Sequence, residues 1–410
     1  MLIGGISSAS RALPDLDGRP FRVARAKGAR LWDEQGREYI DTALGFGATI
    51  LGHAPERVVG SVAGALERGP LPAFAYRGEA SAADALARHT APLDHVVFVN
   101  TGSEAVNLAC RVARAATGRR RIAKFAAAYD GWYEELALGN AGSPDALLEA
   151  NTRPRAGDMV LLRYNDPVDT ERLFAEIDDI AAILAEPVLA NAGCILPAPG
   201  YLESLQETAH RHGSLFIADE VLMGFRLHCG LATHSLGLDP DLATVGKAIG
   251  SGIAVAALVG RAEIMEVLAN GRVNRAGTYS GNPLAAAAVT ATLAELEHCD
   301  YPTLLATGAR LRSEIESSFH AEGIPLATSG YGSVFSLWFA PSAPSDYAGA
   351  MRSARPDLSL ALHCVLRRSG ALVMPGEFGR LYLSFAHDTA ALGALEDAFA
   401  AAAAALGPDE

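Results

Sequence analysis

The chain is poor in lysine. Of 34 basic residues among its 410, only Lys27, Lys124 and Lys247 carry a primary amine. Chemistry that needs such an amine therefore has three candidates. The five cysteines (Cys110, Cys194, Cys229, Cys299 and Cys364) form no CxxC, and no HExxH occurs. Their scatter reads as small apolar core residues rather than a zinc site or a disulfide framework. A net charge of −13 argues against a nucleic-acid or anionic-membrane surface. No apolar run is expected to span a bilayer. The opening MLIGGISSASRAL has no basic segment followed by a greasy one, so it does not read as a signal peptide, and the expected location is the cytoplasm.

Half of the residues are apolar, enough for a large core split into two or three compact units. No internal repeat or long low-complexity linker interrupts them. The middle of the chain alternates strand-like and helix-like segments. His95–Asn100 is a short apolar run, and Ser103–Thr117 follows with helical periodicity and stops at Gly118. Further runs are Ile122–Phe125, Met159–Tyr164, Ile180–Glu186, Leu215–Asp219, Leu242–Val245 and Ile253–Val259, with helical Tyr201–His212 between. Most are continuously apolar, as in a parallel sheet covered on both faces. The pattern predicts a doubly wound α/β domain. Arg30–Asp33, the turn at Glu34–Gly36 and Glu38–Asp41 predict an antiparallel hairpin. From about Asn282 the chain turns helical, with short strands at Val334–Phe339 and Leu381–Phe385 and an Ala-rich terminal helix.

In α/β sheets ligands gather outside the carboxyl ends of the strands, so polar residues there carry information. Four such ends stand out. Asn100-Thr101-Gly102-Ser103-Glu104 runs from a strand through a glycine turn into a helix start, where Ser103 reads as the N-cap. Exposed first-turn amides make an anion site there, although an ordinary cap has the same residues. Leu215–Asp219 runs into Glu220, so this strand ends in two carboxylates, costly to bury unless paired. They could face a cationic ligand such as a protonated pyridine nitrogen, or a structural arginine such as Arg226. Lys247 follows Leu242–Val245 between small residues, where desolvation lowers the amine pKa and suits Schiff-base chemistry. Lys27 lies in a basic turn, and Lys124, inside RIAKF, is expected to snorkel to an edge. Gly277–Pro283 is a hydroxyl- and glycine-rich loop that would also serve as a helix cap.

In order, VNTGSEA, KFAAAYDGW, ILAEPV, ADEVLMGFR, PDLATVGKAIGSG and GTYSGNP resemble the class III aminotransferases of pyridoxal-phosphate fold type I. The likeness extends from Arg11 to the final helix and is strongest to the glutamate-1-semialdehyde aminomutase branch. It implies pyridoxal 5′-phosphate held as an aldimine on Lys247, with Asp219 on the pyridine nitrogen as electron sink. It further implies Val221 and Tyr129 on the two ring faces, Gly102 and Ser103 on the phosphate, and Asn191 near the ring hydroxyl, with Glu186 just before it. Thr278 would reach the phosphate of a neighbouring subunit, so the resemblance implies a homodimer with shared sites. Arg11 aligns with a carboxylate-binding arginine, a role that suits a bidentate guanidinium. Phe46 and Arg380 fall in the substrate space.

The chain departs from the aminomutase pattern at several points. Asp130 stands in place of a histidine, Phe46 in place of a tryptophan, and Gly379, beside Arg380, in place of a glutamate. The lid segment Gly139–Gly157 is also shorter. The expected fold is α/β of fold type I. Residues 1–55 and 286–410 would form a small α+β domain around a large cofactor domain at 56–285. The expected activity is amino transfer from an amino acid, of β, γ or other unusual type, to a keto acid. An intramolecular aminomutase and an amino-acid racemase or epimerase share the same motifs and stay open. A non-catalytic cofactor-binding scaffold is a further alternative.

Overall fold

The chain begins with β1 (Val23–Lys27), β2 (Arg30–Asp33) and β3 (Glu38–Asp41), joined as antiparallel neighbours. The β2–β3 hairpin lies where the sequence predicts it. Gly36 takes φ +80° in the turn, and Asp33 Oδ1 accepts from the amides of Gln35 and Arg37. The computed structural model describes residues 2–147, 155–376 and 378–407.

A large sheet follows, formed by β4 (His95–Val99), β5 (Arg121–Phe125), β6 (Arg155–Ala156), β7 (Met159–Leu162), β8 (Ile180–Ala185), β9 (Leu215–Glu220), β10 (Leu242–Val245) and β11 (Ala256–Gly260). Their spatial order is β4-β11-β10-β9-β8-β5-β7-β6. From β10 through β7 each neighbour pairs in parallel. Only β11 and the short β6 run against the rest. The doubly wound α/β reading therefore stands, with one correction. The run read as Ile253–Val259 begins at Ala256 and is antiparallel. The link from β10 holds a single 3₁₀ turn, Lys247–Gly250, and no crossover helix, so the strand can only return beside β10 in the opposite sense.

Both faces of this sheet are buried. On one, Ile122, Leu184, Ile217 and Leu242 pack with Val106, Ala109 and Val112 of the helix Gly102–Thr117. On the other, Phe125, Ile183 and Phe216 pack under the helix Tyr201–Arg211, and Ala218, Ala243 and Ala257 under the helix Pro283–Leu296. The expected domain boundary at 285/286 falls inside that last helix. Ala285, Ala286, Val289 and Leu293 share the core of the large sheet, so the large body extends through the helix.

The remaining strands are β12 (Ala327–Tyr331), β13 (Val334–Trp338), β14 (Ala371–Leu372) and β15 (Arg380–Tyr382). β12, β13 and β15 form an antiparallel sheet, while β14 joins β3 in parallel and ties the two ends of the chain into one sheet. The terminal helix Thr389–Leu406 is long and apolar enough to cross a membrane by length and composition, contrary to the sequence expectation. Its Leu395, Ala398, Phe399 and Ala402 pack instead with Leu311, Ile315 and Phe319 of the helix Tyr301–Ala321. Alanine supplies most of its hydropathy, and small side chains can stay at the surface at little cost.

The helix start nearest the strand ends corrects another expectation. The N-cap is Thr101, not Ser103: Thr101 Oγ1 accepts from Glu104 N at 3.2 Å, and Glu104 Oε2 accepts from Thr101 N at 3.0 Å. This reciprocal pair is a capping box, and Gly118 closes the far end in the left-handed region. Thr101→Ala is expected to lower unfolding free energy by about 1 kcal/mol. Urea denaturation checks this, with the midpoint falling at unchanged slope.

Candidate active site

With Thr101 and Glu104 absorbed in the cap, the amides of Gly102 and Ser103 have no acceptor among the described residues. They open a helix of 16 residues, so its dipole adds to them. Ser103 is buried, and its Oγ accepts from Trp132 N at 3.3 Å. Gly102 is required by packing. A Cβ there would lie 2.9 Å from Val221 Cγ1, and one on Gly246 would lie 3.4 Å from the same atom. Val221 thus sits wedged between the phosphate-type turn and the residue before Lys247.

Strand register brings the polar groups to one face. Asp219 on β9 pairs with Thr244 on β10, and Glu186 follows β8 in the adjoining row. Asp219 Oδ1 accepts from Thr244 Oγ1 at 2.9 Å and from Val221 N at 3.0 Å. No described residue donates to Oδ2. Burial pushes the Asp219 carboxyl up to about 7, and the Asp130 charge adds to this. Burial likewise lifts Glu186 to about 8, although Tyr129 N donates to its Oε1 at 2.8 Å. The amine of Lys247 moves the opposite way. Burial pulls it down to about 8 against the attraction of Asp219 and Glu186. Lys247 also holds φ +44°, a left-handed conformation that costs a non-glycine residue about 1–3 kcal/mol.

The other expected residues divide. Asn191 lies half-buried in the turn Ala190–Ala192. Arg380 is half-buried beside that turn and donates to Ala190 O at 3.0 Å and to Tyr382 Oη at 2.9 Å. Phe46 belongs to four consecutive residues with positive φ, Leu44–Gly47, a left-handed turn. Asp41 holds its start by accepting from Ala43 N and Leu44 N, and buried Arg226 donates to Gly47 O. Tyr129 is about half-exposed and free to cover a ligand. Thr278 is exposed in its loop, and Arg11 is exposed on the 3₁₀ turn Ala9–Arg11. Neither contacts the groups above within this chain.

Two alternatives are corrected. Arg226 does not answer the strand-end acids: Glu220 is satisfied by the amides of Ala232 and Thr233, and Arg226 Nε and Nη1 have no hydrogen-bond partner. Lys124 does not snorkel. It is fully buried against Asp130, because β5 is flanked by β7 and β8 and offers no edge. Lys27 donates to Ala54 O on the surface. All five cysteines are free; Cys110 and Cys194 are buried and the other three half-buried. Of the segment Gly139–Gly157, residues 148–154 lie outside the described residues. Sequence reading missed Thr244, whose only signal was a hydroxyl in an apolar strand, and the Arg226 brace, which joins residues far apart in the chain.

The chain matches the family model of the class-III aminotransferases over residues 15–324. Among curated proteins, glutamate-1-semialdehyde 2,1-aminomutase of Nitratidesulfovibrio vulgaris (strain DSM 19637 / Miyazaki F) is 38% identical, over 97% of this chain and 95% of its own. Among solved structures, an omega-transaminase from Sphaerobacter thermophilus superposes with TM-score 0.89 at 30% identity, covering 98% of this chain and 94% of its own. A transaminase with PLP bound superposes with TM-score 0.86 at 27% identity over the same shares.

The site geometry sets a test that needs no ligand. In cofactor-free protein the Lys247 amine should titrate near pH 8 and become nucleophilic above it, well below an ordinary lysine near 10.4. With three lysines in the chain, ε-¹³C-lysine NMR resolves it, and Lys247→Ala assigns it. A midpoint near 10 would refute the burial argument.

Proposed function

Because the chain belongs to the class-III aminotransferase family, we propose that it moves an amino group from an amino acid to a keto acid, using pyridoxal 5′-phosphate. The observation that carries this reading is a desolvated amine, on half-buried Lys247, set near a buried carboxylate oxygen, Asp219 Oδ2, that lacks a donor among the described residues. The donor set fits the cofactor. The Gly102 and Ser103 amides and the Ser103 hydroxyl would take its phosphate, Asp219 Oδ2 its ring nitrogen, and Val221 and Tyr129 its two faces. Asn191 would lie near its ring hydroxyl. Bound there, the cofactor supplies a protonated ring that withdraws electrons from a carbon attached to the amino nitrogen.

The residues do the rest. Asp219 would hold a proton on the ring nitrogen through its negative charge, an attraction that the buried setting strengthens. The Lys247 amine, held near neutrality by desolvation, takes a proton from the substrate carbon and returns it elsewhere. Arg380, with no carboxylate partner among the described residues, would bind a substrate carboxylate, and Arg11 would close on it from the N-terminal segment. A β- or γ-amino acid suits this division, with its amine farther from its carboxylate. Thr278 would complete the phosphate site of a second subunit, in a homodimer with shared sites.

Transfer is favoured over rearrangement by Gly379, which stands where the resembled mutases carry a glutamate. A Cβ there would lie 2.6 Å from Met374 O, so no side chain fits without backbone movement. The second reading, an intramolecular aminomutase, is supported by the 38% identity to glutamate-1-semialdehyde 2,1-aminomutase.

Three outcomes test the proposal. Borohydride should fix the cofactor on Lys247; the adduct on Lys27 or Lys124 would sink it. Turnover should require a keto-acid acceptor, and product formed from a single substrate would favour the mutase. Arg11→Ala and Arg380→Ala should raise KM for carboxylate substrates about tenfold or more while sparing an amine without a carboxylate. Equal losses on both would remove the clamp.

A further inference from the structure

Lys124 is more deeply buried than Lys247, which is half-buried, and the reaction does not use it. Its Nζ lies 3.0 Å from Asp130 Oδ2, and neither side chain has any exposure. Nζ also donates to Leu136 O at 2.6 Å and Asn140 Oδ1 at 3.3 Å. Its three protons are thus directed at one downstream segment.

That segment borders the cofactor site. On β5, Lys124 projects from the same sheet face as Asp219 on β9, with β8 between them. Beside Asp130, Tyr129 N donates to Glu186, while Trp132 N donates to Ser103 Oγ. Between them, Gly131 lies so close that a Cβ on it would be 2.7 Å from Ser103 Oγ, and Asn140 Nδ2 holds its carbonyl at 3.1 Å. Residues 129–132 form a strap from Glu186 to Ser103, and the ion pair pegs its middle.

The charges follow the same geometry. Neither oxygen of Asp130 accepts a well-formed hydrogen bond among the described residues, so the carboxylate depends on the charge of Lys124. After burial itself, the Asp130 charge is the largest influence raising both Glu186 and Asp219. From the helix Gly102–Thr117, Cys110 and Arg114 face the pair, but burial pushes the Cys110 thiol up to about 12, and Arg114 is engaged by Glu135 at 3.0 Å. Lys247 lies beyond Asp219, on the far side of the site. Lys124 is therefore the cation that answers Asp130.

We propose that Lys124 and Asp130 act as one neutral positioning unit beneath the cofactor. The strap they peg sets Tyr129 and Ser103 around it, and the lysine offsets part of the field that Asp130 places on Asp219 and Glu186. This rests on the cofactor assignment above, not on the substrate.

The test titrates the visible absorbance of cofactor-loaded protein with pH and measures cofactor affinity alongside. Asp130→Asn leaves an unanswered cation and should lower the midpoint by about one pH unit. Lys124→Met leaves an unanswered carboxylate and should raise it by about as much. The double variant should return to the wild-type midpoint, since a buried pair replaced as a whole loses no net charge. Both single variants should bind pyridoxal 5′-phosphate more weakly. Shifts of the same sign, no shift in either, or a double variant that keeps a single variant's shift would overturn the proposal. Should a single variant not fold, Lys124→Arg and the double variant decide, because both preserve the net charge; a midpoint displaced by a unit in either overturns it. Failure of the cofactor assignment looks different: wild-type protein would then show no visible band.

Discussion

A carboxylate at the end of a buried parallel strand has lost water on every side. Asp219 recovers only part of that loss, through two donors on one oxygen. The other oxygen and the charge are left for a ligand. The rest of the site depends on this deficit. Burial drives the Asp219 and Glu186 carboxyls up and the Lys247 amine down until acids and base lie within about a unit of each other, near neutrality. Groups so shifted change charge near neutral pH, whereas groups at their ordinary values, about six units apart, do not.

Bringing them together strains the backbone. Lys247, Phe225 and Phe46 all occupy positive φ, and Leu44–Gly47 makes a left-handed turn with two side chains in it. Each such residue costs on the order of 1–2 kcal/mol. The turn persists because Asp41, just before it, fixes its start and Arg226, far away in sequence, fixes its end. Glycines serve the opposite purpose at 102 and 246. They remove two Cβ atoms so that Val221 can lie between the helix start and the lysine.

Legibility followed the range of the interactions. Continuous apolar runs announced the parallel strands, and β2–β3 announced itself through Gly36. The candidate lysine and aspartate stood out because polar residues at buried strand ends are conspicuous. Three misreadings share a cause. Ser103 looked like the cap until Glu104 showed that the reciprocal pair needs Thr101. Lys124 looked like an edge residue because spatial strand order cannot be read from chain order. The run that forms β11 looked parallel because apolar content does not distinguish strand direction. Arg226 is the clearest case of what a sequence withholds. Near Asp219 in the chain, it reaches past the acids to a carbonyl 179 residues away.

The same reasoning bears on where the reaction goes. Rearrangement within one molecule requires the half-reacted substrate to stay until its second amine or carbonyl turns to the cofactor. An acid in the pocket helps by holding an ammonium group. Here the corresponding place is Gly379, closed to a side chain by Met374 O, and the next residue is a cation whose Nε and Nη1 are already occupied. A guanidinium with no carboxylate partner among the described residues binds a carboxylate far better than an ammonium group. In the proposed transfer two carboxylate partners would enter and leave in turn, each held by its acid end while Lys247 works at the other.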